Sequence, residues 1–394
     1  MKINADWYFS KNDDWRAMRN YRLNRLIEGM KRNRLDALLM TRLDTIRYTI
    51  SFRPVYSMWF HGTRHIVILT KEGKISFLVG SGDYDRVQNT MPWIEDVTPF
   101  PFLIEQGLSI VLEALKKMDV TKGKIGVDML PFSLYKPLQR ELPNCEFVNG
   151  SKAIDFARKI KCKEEIECLR AAAKMADIGM HTALDNLKEG NTEIEVAAAS
   201  CKAIVEAGSE DITYLPLVEA GEHSWLGYKI PTEYILKKGD MVYIDTGNCI
   251  VNGYNGDIAR IGIIDRASPF QAKIYRTCYE MLQSSIKQLI PGNSTKQVLD
   301  VAEEVARKSG FAENVYFGIL GHAIGTDLHE VPTIGEKVTG IDKGEILEAG
   351  MVICLEPGIL VPNIGGGHLE DMVLITESGP EVLTRTPFEE DLLE

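Results

Sequence analysis

Met241-Val242-Tyr243-Ile244-Asp245-Thr246-Gly247, followed shortly by Asp257-Ile258-Ala259-Arg260-Ile261, decides how this chain reads. Each is a short apolar run with an aspartate at one end, and runs of that length bounded by Gly and Asn are strand signals. Between them lies Gly247-Asn248-Cys249-Ile250-Val251-Asn252-Gly253, a hairpin connection that brings Asp245 and Asp257 to one end of adjacent strands. Two later strands carry carboxylates in the same way. Glu356 follows Met351-Val352-Ile353-Cys354-Leu355, and Glu370 precedes Asp371-Met372-Val373-Leu374-Ile375. A carboxylate at the end of a buried strand costs several kcal/mol unless it is paired or bound to a cation. Four of them converging on strand ends therefore point to a metal.

Three of the seven histidines, His322, His329 and His368, stand in sequence beside the same glutamates. Gly321-His322-Ala323-Ile324-Gly325 sets one of them between glycines, where backbone can approach a ligand closely and a helix is disfavoured. Four carboxylates and one imidazole suit divalent ions such as Mn2+, Fe2+, Co2+ or Zn2+ and suffice for two ions that share bridging carboxylates. The oxygen-rich set does not suit a single structural zinc. Taken singly, a strand-end Asp is an ordinary turn or cap residue and a loop His an ordinary polar one; the ordered set of five carries the reading. His329-Glu330 runs into Pro332-Thr333 with no second histidine, which excludes a thermolysin-type His-Glu-x-x-His helix. A Gly-x-Ser-x-Gly elbow and a phosphate-binding loop are both missing from the sequence.

Outward from these strands, Ile166, Leu169, Ala173, Ala176, Met180, Ala183/Leu184 and Leu187 recur at steps of three and four, which predicts one long helix closing near Gly190. Thr192-x-x-Glu195 has capping-box spacing for a helix to about Ala207, and Ser268-Pro269 opens another that stops by Pro291-Gly292. Upstream, a helix from Trp15 to Met30 leads into a strand, Ala37 to Met40. Ile66–Thr70 and Ile75–Val79 flank a short turn and predict a hairpin; a helix over Leu103–Met118, a strand at Ile125–Val127, a helix over Phe132–Leu142 and a strand at Phe147-Val148 follow. These elements make an α/β first domain, residues 1–153, ahead of a second domain, residues 154–394.

The 394 residues suffice for two domains with real cores, and 45% hydrophobic with 26% charged residues is an ordinary globular composition. Lys+Arg 45 against Asp+Glu 56 gives a net charge of −11, which argues against a protein that holds a phosphate backbone. The sequence has no apolar stretch approaching the ~20 residues of a membrane span and no signal-like start, so a cytoplasmic protein is the expectation. Seven scattered cysteines without a Cys-x-x-Cys pair read as reduced thiols.

The set Val242-Tyr243-Ile244-Asp245-Thr246-Gly247, Gly256-Asp257-Ile258-Ala259-Arg260, Gly321-His322-Ala323-Ile324-Gly325 with His329-Glu330-Val331-Pro332, Glu356-Pro357-Gly358, and Glu370-Asp371 resembles the pita-bread metallopeptidases, in the branch of prolidase, aminopeptidase P and creatinase. Arg158-Lys159-Ile160-Lys161 with Glu164-Glu165-Ile166 resembles that family's entry into its second domain. The resemblance implies an α/β N-terminal domain before an α+β pita-bread catalytic domain, two divalent ions (Mn, Co, Fe or Zn) and a homodimer. It implies that Asp245 holds one ion, that Asp257 and Glu370 bridge both, and that His322 and Glu356 complete the second. Glu356 would then shuttle a proton and His329 would hydrogen-bond the oxyanion. Peptide or amide hydrolysis, most of all of Xaa-Pro peptides, is the function it implies.

Two positions depart from the family pattern. The substrate-binding histidine falls on Tyr228, with His223 the nearest histidine, and His368 stands where the peptidases carry arginine. These positions leave open a small non-peptide amide, amidine or osmolyte as substrate, hydrolysed or cleaved by a lyase reaction; a catalytically silent binding protein on the same fold is the third reading. The aromatic stretch Phe52-Arg53-Pro54-Val55-Tyr56-Ser57-Met58-Trp59-Phe60-His61 offers Arg53 and Trp59 as first-domain residues that line a substrate pocket, beside the plainer reading of packing.

Overall fold

The computed structural model describes residues 13–54, 65–227, 230–247, 249–316, 319–335 and 344–393. They form two compact units that part between Arg158 and Lys159. Among the described residues no helix is long and apolar enough to cross a membrane.

The first unit runs α1 (Asp13–Arg32), β1 (Ala37–Met40), α2 (Leu43–Ile50), β2 (Ile66–Thr70), β3 (Ile75–Gly80), α3 (Tyr84–Thr90), β4 (Asp96–Phe100), α4 (Leu108–Lys117), β5 (Gly123–Val127), α5 (Phe132–Glu141), β6 (Cys145–Asn149) and α6 (Ser151–Lys159). Its strands make one sheet in the order β4-β3-β2-β1-β5-β6. β1, β2 and β3 pair antiparallel, and β4, β5 and β6 join in parallel. Successive side chains of a strand point to opposite faces, and here both faces are apolar. Leu38, Met40, Val67 and Leu69 pack with Leu26 and Met30 of α1. Ala37, Leu39, Ile66 and Ile68 pack with Val111 and Leu115 of α4 and Leu134 and Leu138 of α5. The helix expected from Leu103 arrives in two pieces, a tighter turn over Ile104–Gly107 and then α4. Ala153, Ile154 and Ala157 of α6 are buried in the same core as α1.

The second unit continues with α7 (Lys163–Asp185), α8 (Glu193–Ala207), β7 (Leu217–Ala220), β8 (Met241–Asp245), β9 (Ile250–Val251), β10 (Tyr254–Asn255), β11 (Ala259–Ile263), α9 (Pro269–Ile286) and α10 (Thr295–Lys308). It closes with β12 (Gly321–Ala323), β13 (Glu330–Ile334), β14 (Val352–Leu355), β15 (Gly358–Val361), β16 (Gly365–His368), β17 (Asp371–Thr376) and β18 (Gly379–Val382). Helix starts follow their side chains: Thr192, Ser268 and Ser294 each accept from the third helical N–H, and Glu195, Gln271 and Gln297 reach back in capping boxes. The sequence reading had no helix at α10, although Ser294 and Gln297 carry the same signal. Antiparallel sheets β11-β8-β7 and β13-β12-β14-β17-β18 hold the middle of the unit, with ribbons β9-β10 and β15-β16. Residues of α7 and α8 share a core with β7 and β8, while α9 and α10 share one with β12, β14 and β17.

One strand differs from expectation in a way that matters for the site. β11 begins at Ala259 rather than at Asp257: the ladder runs from Ala259 opposite Asp245, and one further cross-strand bond, from the Thr246 N–H to the Ile258 carbonyl (3.0 Å), lies beyond it. Asp257 is thereby released from sheet pairing and its side chain is free to face Asp245.

Candidate metal centre

The register of four strands brings the acidic residues to one place. Asp245 is the last residue of β8 and pairs with Ala259; Asp257 lies just before that pair. Leu355 pairs with Asp371, so Glu356 and Glu370 oppose each other one step beyond the β14–β17 ladder. His322 on β12 pairs with Cys354 on β14, and His368 at the end of β16 pairs with Gly358. The Glu370 N–H donates to the Ala259 carbonyl (3.0 Å), which ties the end of β17 to the start of β11. Close approach requires glycine at two points. A Cβ on Gly247 would lie 1.9 Å from Asp257 Cα, and one on Gly367 (φ 154°) would lie 2.9 Å from the Tyr243 ring.

Asp245, Asp257, His322, Cys354, Glu356, His368 and Glu370 are all buried. Donor atoms of Asp257, His322, Cys354 and Glu370 lie within 4.8 Å of one another, as do those of Asp245, His368 and Glu370, so Glu370 belongs to both groups. His322 Nε2 is 3.6 Å from Asp257 Oδ2 and 3.7 Å from Glu356 Oε1. His368 Nε2 is 3.8 Å from Asp245 Oδ2 and 3.6 Å from Glu356 Oε2. Two phenols support the cluster. Tyr214 donates its hydroxyl to Asp245 Oδ1 (2.6 Å) and lies 3.2 Å from Asp257 Oδ1, while Tyr243 donates to Asp245 Oδ2 (2.8 Å) and is hydrogen-bonded to His368 Nε2 (2.7 Å).

The electrostatics describe a site built for positive charge. Burial, and then the neighbouring Asp245 and Glu356, push the Asp257 carboxyl well above its ordinary range. Burial and the adjacent His329 push His322 down to about 3, which keeps its imidazole neutral, the form that ligates metals. The His322 Nδ1–H donates to the Ala323 carbonyl (3.1 Å) and so turns Nε2 toward the carboxylates. Carboxylates this close resist simultaneous ionisation, and a divalent cation removes that conflict.

Of the other residues singled out in the sequence, His329 is exposed and its ring centre stands 4.2 Å from that of His322. His223 is exposed on a short turn, Gly221–Leu226, with its ring edge-on to Tyr234 at 5.9 Å. Arg53 belongs to the first unit, where its carbonyl accepts from the Arg86 guanidinium (2.8 Å). Tyr228 and Trp59 lie outside the described residues. Three members of the cluster had not been singled out. Cys354 is hidden in sequence by its apolar strand, and Tyr243 by looking like one more core residue of β8. Tyr214, in the loop before β7, carries no local signal at all.

Residues 167–377 match metallopeptidase family M24, and residues 22–160 match the creatinase/prolidase N-terminal domain. Over 368 residues the chain is 28% identical to the Xaa-Pro dipeptidase of Pyrococcus furiosus, spanning 93% of this chain and 98% of that one. The solved Xaa-Pro dipeptidase from Bacillus anthracis superposes with a TM-score of 0.81 at 25% identity, over 94% of this chain and 99% of its own. The prolidase from Pyrococcus horikoshii OT3 gives 0.80 at 26% identity, over 93% and 99%.

Proposed function

The chain belongs to metallopeptidase family M24, with a creatinase/prolidase-type N-terminal domain ahead of a pita-bread catalytic domain, and on that premise we propose that it hydrolyses the Xaa-Pro bond of short peptides with two divalent ions. The observation that carries the reading is the pair of buried donor groups joined through Glu370. On the family resemblance Asp245, Asp257, Glu370, His322 and Glu356 would hold the ions; Glu356 stands beside the two groups, its oxygens 3.7 and 3.6 Å from His322 and His368. The ions, Mn2+, Fe2+, Co2+ or Zn2+, supply an activated water at neutral pH and polarise the scissile carbonyl.

The chain's own residues do the rest. Glu356, whose two oxygens lie 3.7 and 3.6 Å from His322 and His368, takes the proton of the attacking water on a carboxylate oxygen and delivers it to the leaving imino nitrogen. His329, exposed beside His322, donates a hydrogen bond to the oxyanion. On the resemblance, His223 and Tyr228 serve the substrate side. The same resemblance supports a first domain of residues 1–153, a catalytic domain of 154–394, a homodimer and a cytoplasmic place of work.

A panel of Xaa-Pro dipeptides and tripeptides, offered to metal-loaded and to chelator-treated protein with products identified by mass spectrometry, tests the proposal. Cleavage that a chelator abolishes is expected, and product lengths separate a dipeptidase from an aminopeptidase. No cleavage by protein shown to carry two ions overturns the peptide substrate and turns the search to small amides, amidines and osmolytes.

A further inference from the structure

We infer that His368 is itself a metal ligand, binding through Nε2 the ion that Asp245 and Glu370 hold, so that each of the two ions carries one imidazole. The inference rests on the two-ion reading above and adds a sixth protein ligand to it. Three observations carry it. First, His368 completes a buried donor group with Asp245 and Glu370 within 4.8 Å, as His322 does with Asp257 and Glu370. Second, the two imidazoles stand in matching positions about Glu356. His322 Nε2 is 3.6 Å from its aspartate and 3.7 Å from Glu356 Oε1, and His368 Nε2 is 3.8 Å from its aspartate and 3.6 Å from Glu356 Oε2. Two donors on one ion with bonds of about 2.0–2.2 Å stand roughly 3–4 Å apart, so both imidazoles sit at the spacing of co-ligands.

Third, the fold goes to some length to place this side chain. β16 is a Gly365-Gly366-Gly367 run ending in His368, and a Cβ on its partner Gly358 would lie 2.8 Å from His368 Cβ. The ring is wedged between Tyr243 (centroids 4.6 Å apart) and Tyr316 (5.8 Å). Tyr243 keeps its 2.8 Å hydrogen bond to Asp245 Oδ2 when Nε2 gives up the proton it donates to the phenol and binds an ion instead, with the imidazole proton then on Nδ1. The rival arrangement leaves the proton on Nε2, donated to Tyr243, and makes His368 a positioning residue for Asp245. The consequence of ligation is chemical: a nitrogen donor on both ions shifts preference from Mn2+ toward Co2+ and Zn2+.

Cobalt separates the two. Imidazole N–H protons on a Co2+-bound histidine give exchangeable, strongly shifted proton resonances that can be counted. Apo protein loaded with two Co2+ is expected to show two such resonances, with His322→Gln and His368→Gln each removing a different one. Calorimetric titration of His368→Gln should show one of the two Co2+ affinities reduced about 100-fold, the upper end of what changes around a metal site cost. Tyr243→Phe, which keeps the imidazole, should retain both resonances and guards against misfolding of the histidine variants. A single resonance in the wild type that His322→Gln abolishes, with two ions still bound, overturns the inference and leaves the two-ion reading standing. Fewer than two Co2+ bound by the wild type overturns both.

Discussion

Asp128 and Asp245 occupy the same place in their respective units, the position where an apolar strand ends, and they are finished in opposite ways. Asp128 follows β5 and accepts the backbone N–H groups of Thr41 (2.9 Å), Arg42 (3.1 Å) and Met129 (2.6 Å). Nearby Asp44 is clamped by Arg158 (2.7 Å) and Arg42 (2.9 Å). Every charge there has a donor supplied by the chain. Asp245 follows β8 and meets the hydroxyls of Tyr214 and Tyr243, with Asp257 close enough that its own carboxyl is pushed up. The local sequences are alike; what reaches the carboxylate differs. A carboxylate met by backbone N–H groups, as Asp128 is, or by guanidinium, as Asp44 is, is a structural part, whereas one ringed by phenols and other carboxylates is completed by a cation.

The largest test of this contrast is to remove one aspartate from each unit. Asp257→Ala should lose bound metal, measured by elemental analysis, and lower kcat/KM by about 10³-fold or more, the scale of several kcal/mol of lost charge stabilisation. Asp128→Ala should leave metal content and kcat/KM of the folded protein unchanged and lower its unfolding free energy by about 1 kcal/mol, because the N–H groups of Thr41, Arg42 and Met129 lose their shared acceptor. Equal effects on activity would erase the distinction. Next in size is His329→Ala, which should lower kcat about 10²–10³-fold, as loss of one oxyanion donor does, with both ions retained.

The same contrast explains what the sequence made legible. Asp245, Asp257, Glu356 and Glu370 stood out because a carboxylate interrupting an apolar strand is locally anomalous, and His322 because glycines flank it. The αβ layering of the first unit followed from β1, β2 and the hairpin turn, whose patterns are local. Tyr214 and Tyr243 were invisible: a phenol supporting a ligand differs from a core tyrosine only in what its hydroxyl meets, and that is decided by residues far along the chain. Cys354 was lost among its apolar neighbours on β14, and β11 starts two residues later than its apolar run, at the residue that faces Asp245 across the ladder. His368 was noticed only as an unexpected residue; its place beside Asp245 depends on β15 and β16, which no periodicity announced.

Support around the ligands should weigh less than the ligands. Tyr214→Phe removes a hydrogen bond shared between Asp245 and Asp257 and should weaken metal binding about 10–100-fold without abolishing turnover at saturating metal. In the first unit the corresponding support is an ion pair, and acid should reveal it. Burial pushes Asp44 up, but Arg158 and Arg42 outweigh it and hold the carboxyl at about 2. A carboxyl depressed in the folded state stabilises above its unfolded value and loses that contribution as pH falls, here from about 4 to about 2. Wild type should therefore lose about 2 kcal/mol relative to Asp44→Asn across that window, read by denaturant titration; a constant difference would remove Asp44 from the acid response.

The smallest effect has the most telling sign. The Asp257 carboxyl is raised in the folded state by burial and by Asp245 and Glu356, so its charged form opposes folding of the metal-free protein, and that opposition grows as pH rises past the ordinary carboxylate range. Asp257→Asn removes the charge while keeping the shape. In chelator the variant should therefore be more stable than wild type at neutral pH, by about 1 kcal/mol, with the advantage fading near pH 4 where the unfolded carboxyl also takes up its proton. Saturating metal should reverse the order, since only wild type gains the binding term, about 2.7 kcal/mol at a hundredfold excess over Kd. The first unit offers the opposite case at Asp44: replacing it strands the Arg42 and Arg158 guanidinium groups and should destabilise at neutral pH with or without metal. A melting temperature that rises on losing a carboxylate and falls on adding a chelator is the signature of a site held in tension for its ions, and an Asp257→Asn protein less stable than wild type in both conditions would place Asp257 with Asp128 after all.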